Sequence, residues 1–345
     1  MIRRADSPTM RKPTVIAAIM GIVLALGLAA YWKQPHTAPG AVPAMGAIPA
    51  AGLHVRGADV VEGHGEPFVM RGISHPYAWY RERTAAFADI KRLGANTVRV
   101  VLTSDVTARE VAGIVERCRN ERLVCVLENH DTTGYGERPG AITLDRAAAF
   151  WTAVAPSLHG TEAFVVVNLG NEPYGNGDTS GWARDTSAAI ATLRAAGVRH
   201  LLMADAPNWG QDLSKTMQQH AAAVLAQDPQ HNTVFSVHMY GVYDTAAKVT
   251  DYLDAFRTAG LPLVVGEFGR RHTDGPVAAD AIMRETRTRG IGYLGWSWSG
   301  NGGGVEYLDA AEAFDPDRLT DWGRTLFADI RATARELGAF TPASR

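Results

Sequence analysis

The chain has 345 residues, of which 46% are hydrophobic and 20% are charged, and its formal net charge is −2. This length suits one large barrel or two ordinary domains, and the composition is typical of a globular protein with a substantial core. A chain without a strong positive charge gives no reason to expect nucleic acid or an acidic polymer as a partner, which leaves a neutral ligand.

The first 33 residues differ in composition from the rest. Basic residues precede the uncharged run 14–32, which as a helix would span about 28 Å, close to the thickness of a hydrocarbon core. Tyr31 and Trp32 at its end suit the membrane interface, and the basic residues favour the cytoplasmic side. We expect an exported protein with residues 1–33 as an uncleaved anchor. A signal segment cleaved near Ala29-Ala30, which would leave a secreted protein, is the alternative.

Residues 34–51 are rich in Pro, Ala and Gly, which predicts a semi-extended linker without a core of its own. Residues 1–33 carry five basic residues and one acidic residue, a net charge of +4, so the remainder carries about −6. We expect residues 52–345 to form the globular domain, mildly acidic and directed at a neutral partner.

Strand-like and helix-like segments alternate from residue 53 onward. The first of them predict a short N-terminal β-hairpin with its turn at Glu62-Gly63-His64-Gly65. Helical segments with one apolar face are expected between strands, and several end at a glycine. The predicted strands are 69–74, 97–102, 123–128, 164–168, 201–204, 234–238, 263–267 and 292–298, and the predicted helices include 85–93, 109–119, 144–158, 182–195 and 278–289.

Eight strand–helix units predict an α/β protein with a (β/α)₈ TIM barrel. A doubly wound open sheet is the alternative. It is the weaker of the two, because no glycine-rich dinucleotide motif follows the first predicted strand.

The two cysteines have neither the number nor the spacing of a metal site. Cys118 is expected near the end of a helix and Cys125 in the next strand, a short turn away. An exported protein could join them in a local disulfide, and two buried thiols are the alternative.

Two glutamates follow apolar runs. The run 164–168 leads into Asn171-Glu172-Pro173, and the run 261–265 leads into Gly266-Glu267. The carboxyl ends of parallel strands form the catalytic rim of a barrel. Glycoside hydrolysis needs two carboxyl groups there, one as general acid and one as ionised nucleophile or base. The pair therefore favours this chemistry over two unrelated loop carboxylates.

Polar and aromatic residues recur at the other predicted strand ends. Arg99 lies within the second strand, where a buried cation needs an acidic or hydrogen-bonding partner. No metal-ligand motif is present, so we predict no metal. Aromatic rings stack on the apolar faces of sugars, and a set of them at one rim indicates a polysaccharide cleft. The histidines and aromatic residues at or after the predicted strand ends are Trp79, Tyr80, His130, Tyr135, Trp209, His238, Tyr240, Trp296 and Trp298.

The motifs Asn171-Glu172-Pro173, His238-Met239-Tyr240, Gly266-Glu267-Phe268-Gly269 and Trp296-Ser297-Trp298 resemble those of glycoside hydrolase family five, from about residue 72 to residue 322. The longer stretches 127–137, 205–212 and 296–304 are similar to bacterial endo-β-1,4-mannanases within that family. The resemblance departs at Asn129, where an apolar residue is expected. This leaves the orientation of His130 open.

The resemblance implies a retaining, endo-acting hydrolase that cleaves β-1,4 bonds of mannan or glucomannan by double displacement, without a cofactor and as a monomer. Glu172 would be the acid/base and Glu267 the nucleophile, with Tyr240 touching the nucleophile. Asn171 would bind the 2-hydroxyl of the sugar. Arg99 and His130 would support the nucleophile, His238 would lie near the acid/base, and Trp298, with Trp296, would form the sugar platform. Trp209 is expected to contact substrate.

Two alternatives stay open. The same catalytic pair could act on β-1,4-glucan, because the contacts that separate mannose from glucose depend on geometry. A membrane-tethered barrel that binds sugars without cleaving them is the other, and a carboxylate turned out of the cleft would favour it.

Overall fold

The computed structural model describes residues 52–340, which belong to one compact unit. Eight parallel strands close into a barrel in which strand eight pairs with strand one, so the predicted TIM barrel is confirmed. In chain order the barrel strands are Arg71–His75, Thr97–Leu102, Val124–Asn129, Val165–Asn168, Leu201–Asp205, Thr233–Met239, Leu263–Phe268 and Gly292–Gly295.

The strands form where β-branched and apolar residues run together. Thr97–Leu102 and Val124–Asn129 are buried along their whole length and pair residue for residue. Such runs suit strands that are covered by helices on one face and by the barrel interior on the other. The polar residues Glu128 and Asn129 end the second of these runs, at the rim of the barrel where the carboxyl ends of the strands meet.

Helices follow the strands and cover the outside of the barrel. Several begin at a threonine cap. At Thr107 the cap is a full capping box with Glu110, which satisfies two otherwise free backbone donors. The α-helices are Ala86–Arg92, Ala108–Asn120, Leu144–Val154, Trp182–Ala195, Thr216–Gln227, Ala246–Thr258, Ala279–Arg289 and Asp321–Thr333.

The N-terminal hairpin is present, but its turn lies earlier than predicted. His54–Arg56 pairs antiparallel with Asp59–Val61 around Gly57, whose φ of 61° suits a tight turn. The predicted turn at 62–65 instead makes a second reversal, closed by a bridge between Val61 and Pro67. Two glycine-containing turns lie close together here, at Gly57 and at residues 62–65. Only the pairing of the strands shows which of them closes the hairpin.

Strand eight is shorter than predicted, since its regular pairing ends at Gly295 rather than at residue 298. The next backbone groups pair with a loop: Ser297 N–H donates to Leu308 and the Ser297 carbonyl accepts from Ala310. The Trp296–Ser297 peptide bond is cis. Because the regular pairing ends at Gly295, Trp296 and Trp298 lie beyond the strand, and they do not share one face as the strand period would require.

Cys118 and Cys125 are both buried free thiols, with Cys118 near the end of its helix and Cys125 in strand three. Burial raises the pKa of Cys118, and the neighbouring Cys125 adds to the rise. Of the two states predicted for this pair, the structure contains the thiols.

Within residues 52–340, none of the helices combines the length and the apolar character needed to cross a membrane. The predicted anchor and linker lie outside the described residues.

Candidate active site

Glu172 and Glu267 face one another at the carboxyl end of the barrel. Glu172 follows strand four, and Glu267 lies in strand seven. Each is buried, with exposed fractions of 8% and 4%. One carboxylate oxygen of Glu172 and one of Glu267 lie within 4.8 Å of each other, and a ring nitrogen of His238 lies within the same distance of both. Glu172 has a φ of 42°, a left-handed conformation that costs a non-glycine residue about 1–3 kcal/mol. The fold therefore holds the two carboxyl groups together at the expense of local strain.

Glu267 is held by two donors. Arg99 Nη1 donates to its Oε1 at 2.6 Å, and the Tyr240 hydroxyl donates to its Oε2 at 2.9 Å. Burial raises the pKa of Glu267, the positive charges of His238 and Arg99 act against the rise, and the nearby Glu172 adds to it. Burial, with the negative charge of Glu267, raises the pKa of Tyr240 well above its ordinary value, so its hydroxyl stays a donor.

Arg99 lies in strand two without exposed surface and organises the acidic groups around it. Burial acts to lower its pKa, but the surrounding carboxylates raise it above the ordinary value, so the guanidinium is charged. Its nitrogens face Glu267 (2.6 Å), Asn171 (2.7 Å), Asn168 (3.2 Å), Asp205 (3.5 Å) and Glu128 (3.6 Å). The partners that a buried cation requires are therefore present.

His238 links Glu172 to Asp205. Its Nδ1 lies 2.8 Å from Oε1 of Glu172, and its Nε2 lies 3.3 Å from Oδ2 of Asp205. Burial lowers the pKa of His238, but Glu267 and Asp205 outweigh burial and raise it to about 10. Burial likewise opposes ionisation of Asp205, yet His238 and Arg99 bring its pKa down to about 2. A charged imidazole therefore lies beside Glu172.

A bulge in strand seven brings His238 and Glu267 into register. Strand six pairs Val237 with Val265 and then His238 with Glu267, so that Gly266 is the extra residue. A Cβ at Gly266 would lie 2.1 Å from Ser236 Oγ and 3.2 Å from His238 Nε2. Only glycine leaves room for this approach.

Asn171 uses both ends of its amide. Its Oδ1 accepts from Arg99, and its Nδ2 donates to Thr133 at 2.9 Å. Its predicted contact with a sugar hydroxyl stays a prediction.

His130 is oriented by Glu128. Its Nδ1 lies 2.9 Å from Oε1 of Glu128, and burial, which lowers its pKa, is outweighed by that carboxylate, so the pKa rises. The side chain of Asn129 turns to Ser104, to which it donates at 3.0 Å, and it also accepts from the Asp131 backbone. Asn129 therefore leaves His130 free to face the site.

Of the two tryptophans predicted for the sugar platform, only Trp296 is accessible at the site, and the prediction of Trp298 for this place is wrong. Trp298 has no exposed surface and packs edge-on against Phe327, so a sugar cannot reach it. Trp296 is partly exposed and lies parallel to His130, with ring centroids 5.9 Å apart. Trp79, which is 53% exposed, packs edge-on against His130, with ring centroids 5.1 Å apart.

Trp209 lies in the loop after strand five and is partly exposed. Its indole N–H donates to Glu137 at 2.9 Å, and its backbone N–H donates to Tyr174 in the loop after Glu172. Trp209 therefore lies on the Glu172 side of the site.

Glu128 and Asp205 were missed as site residues. Glu128 precedes Asn129 and His130, and Asp205 ends strand five. Like Glu172 and Glu267, both are carboxylates at the carboxyl end of a strand, so the same reasoning could have predicted them. What it could not show was their contact with Arg99 and the two histidines.

Within the described part of the chain, Glu172, His238 and Glu267 bring donor atoms close enough to share a metal ion. A metal-binding imidazole must be neutral, whereas the charge on His238 and its hydrogen bond to Glu172 suit proton transfer. The absence of a metal stays a prediction.

A model of the cellulase family (glycosyl hydrolase family 5) matches residues 61–302. A mannan endo-1,4-beta-mannosidase from Streptomyces lividans is 51% identical over 345 residues, covering 97% of this chain and 86% of that protein. One from Cellvibrio japonicus is 44% identical over 301 residues, covering 84% and 70%. The solved beta-mannanase from Thermomonospora fusca superposes with a TM-score of 0.82 at 52% identity, covering 84% of this chain and 99% of that one. The chain therefore belongs to glycoside hydrolase family 5.

Proposed function

We propose that this protein is a retaining, endo-acting mannan endo-1,4-β-mannosidase that cleaves mannan and glucomannan. The observation that carries the mechanism is the carboxylate pair. Oxygens of Glu172 and Glu267 lie within 4.8 Å, which suits the separation of about 5–5.5 Å in retaining enzymes. Inverting enzymes need about 6.5–9.5 Å to admit a water. The names of the relatives support mannan as the substrate.

Glu267 is the nucleophile of the first step. Its Oε attacks the anomeric carbon while the bond to the leaving oxygen breaks, and a covalent glycosyl–enzyme forms. Arg99 and Tyr240 hold the carboxylate in place and ionised until the attack.

Glu172 is the acid/base. It gives a proton to the leaving oxygen in the first step and takes one from the attacking water in the second. His238 Nδ1, 2.8 Å from Oε1, keeps an exchangeable proton next to this carboxyl group. The chemistry needs no cofactor.

The sugar at the cleavage point would rest on Trp296, since this ring is the one at the rim of strand eight. His130 lies beside it with its ring nearly parallel to the indole, and Asn171 lies in the same site, where its Oδ1 accepts from Arg99.

A β-1,4-glucanase is the second candidate, because the matching family model carries the name cellulase. The non-catalytic binding barrel is disfavoured. Both carboxylates turn into the site and contact His238, rather than out of the cleft.

The test is release of reducing ends from mannan, glucomannan and carboxymethyl-cellulose by the full chain and by Glu267→Gln. We expect activity on the first two substrates and a loss of at least about a thousandfold in the variant, since its nucleophile is gone. Glu116→Gln, at an exposed helix position, is the matched control. Proton NMR should show the β-anomer as the first product. An α-anomer would contradict retention, and activity confined to cellulose would select the glucanase.

We propose further that the protein is exported and stays anchored through residues 1–33, with 34–51 as linker and 52–345 as the catalytic domain. The run 14–32 and the basic residues before it support this location. Polymeric mannan is met outside the cell, so an extracytoplasmic domain suits the substrate. Fractionation of cells that express the full chain tests the proposal.

A further inference from the structure

Three loops at the rim of the barrel meet at one exposed carboxylate, that of Glu137. It follows strand three and accepts the indole N–H of Trp209, from the loop after strand five, at 2.9 Å. The loop after Glu172 lies against the same carboxylate, because its Gly175 packs on it and the backbone N–H groups of Asn176 and Gly177 face it. The Trp209 bond is the largest of these contributions, and together they lower the pKa of Glu137. One side chain therefore ties together the loops of strands three, four and five.

The contacts around this carboxylate are tight. A Cβ at Gly175 would lie 2.5 Å from the carboxyl carbon of Glu137, and one at Gly134 would lie 2.3 Å from the Trp209 ring. Gly134 also has a φ of +66°, which favours glycine. Glycines thus let Glu137 lie against one loop and the indole lie against another, so the position of the ring is defined from two sides.

The loop that carries this ring packs against the residues that surround the acid/base. Gly210, the residue after Trp209, accepts the backbone N–H of His238 at 2.8 Å, and a Cβ there would lie 2.6 Å from the imidazole. His238 in turn contacts Glu172, whose backbone carbonyl accepts from Gly134 at 2.9 Å. Glu172 protonates the leaving oxygen, so this is the side on which the departing sugar lies.

We infer that Glu137 is a positioning residue that holds Trp209 as the stacking platform of the leaving-group subsite. The inference rests on the proposed function, and the ligand is the neutral hexopyranose at the reducing side of the cleaved bond. Stacking on a fixed ring places the glycosidic oxygen within reach of Glu172. A misplacement of about 1 Å is costly for such a reaction. Glu137 acts through Trp209 and touches no reacting atom.

The test compares two substrates in the full chain. When mannohexaose is cleaved, the leaving group is a sugar that occupies the leaving-group subsite. When β-mannobiosyl fluoride is cleaved, the leaving group is fluoride, which does not fill that subsite and needs no proton. We expect Glu137→Ala to lower the ratio of kcat/KM on mannohexaose to that on the fluoride by about tenfold. Glu116→Gln should leave the ratio unchanged.

Trp209→Phe keeps the aromatic face and removes the N–H. In the double variant, the loss should be smaller than the product of the two single losses, because both changes break the same hydrogen bond. In ¹⁵N-labelled protein, the indole resonance that disappears in Trp209→Phe should shift in Glu137→Ala. This readout does not depend on activity.

Equal losses on both substrates, or multiplicative losses in the double variant, would overturn the positioning role and leave a general structural one. An unshifted indole resonance would overturn the clamp itself. If the wild-type protein does not cleave mannohexaose, the proposed function is overturned and the subsite with it. A shift of the indole resonance in Glu137→Ala would still show the hydrogen bond between Glu137 and Trp209.

Discussion

The charges of the individual side chains around Glu172 and Glu267 depend on one another. Asp205 and His238 have no or almost no exposed surface, and each shifts the other strongly toward its charged form. Each of the two buried charges is therefore stabilised by the other, together with Arg99 for Asp205 and Glu267 for His238.

The pH dependence follows from the directions of these shifts. The pKa of His238 is raised from 6.5 to about 10, so its contribution to stability is complete below about pH 6.5 and is lost as pH rises toward 10. The pKa of Asp205 is lowered from 3.8 to about 2, so its contribution is present above about pH 3.8 and is lost as pH falls toward 2. The pair should therefore stabilise the fold most between about pH 3.8 and pH 6.5.

Asp205→Asn removes one of the anions that keep His238 charged. We expect kcat to fall by about a hundredfold, and the alkaline limbs of both the pH–kcat profile and the melting-temperature profile to move to lower pH. Melting curves and rates between pH 5 and 10 measure this. Asp145→Asn, at an exposed helix position, is the control. An unmoved alkaline limb would show that Asp205 does not govern the charge of His238.

At the scale of elements, the end of strand eight divides two tryptophans that are two residues apart. Trp296 is partly exposed beside His130, while Trp298 is enclosed against Phe327. The loop that pairs with Ser297 produces this division. Replacing Trp296 should therefore affect activity, whereas replacing Trp298 should affect stability.

Trp296→Ala should lower kcat/KM on mannohexaose by about a hundredfold with little change in melting temperature, because a stacking face is lost from the rim. Trp298→Ala should cost about 3–5 kcal/mol of unfolding free energy, since it leaves a cavity in the core. Urea unfolding and steady-state kinetics of both variants separate the two effects. The reverse pattern would return the platform to Trp298.

Elements with a continuous pattern were predicted closely from the sequence. Strand Thr97–Leu102 and helix Trp182–Ala195 have the predicted bounds, because burial of a regular element produces its periodicity directly. The hairpin turn and the end of strand eight were predicted wrongly. There the backbone pairs across loops, Val61 with Pro67 and Ser297 with Leu308, and the periodicity of an element does not encode such partners.

At the scale of the whole molecule, barrel closure is what assembles the site. Arg99, Asn171, His238 and Glu267 come from four different strands or the loops behind them, and they meet because parallel strands all end at one rim. The monomeric state stays a prediction.

The proposed location concerns the whole chain. The full chain should sediment with membranes and be released by detergent, while a chain that starts at Gly52 should stay in the supernatant, because the apolar run supplies the membrane affinity. Immunoblots of the two fractions measure this. Full chain in the supernatant at reduced mass would show that the first segment is cleaved.

The sequence by itself determined the barrel, the two glutamates and most of their supporting residues. Burial periodicity and strand-end polarity are local properties that a sequence displays directly. Only the tertiary structure decided that Trp296 rather than Trp298 is accessible beside His130, that Glu128 and Asp205 lie against Arg99, and that Glu137 accepts the indole N–H of Trp209. Each of these depends on contacts between residues distant in the chain, whose geometry is set by closure of the barrel and by the packing of its loops.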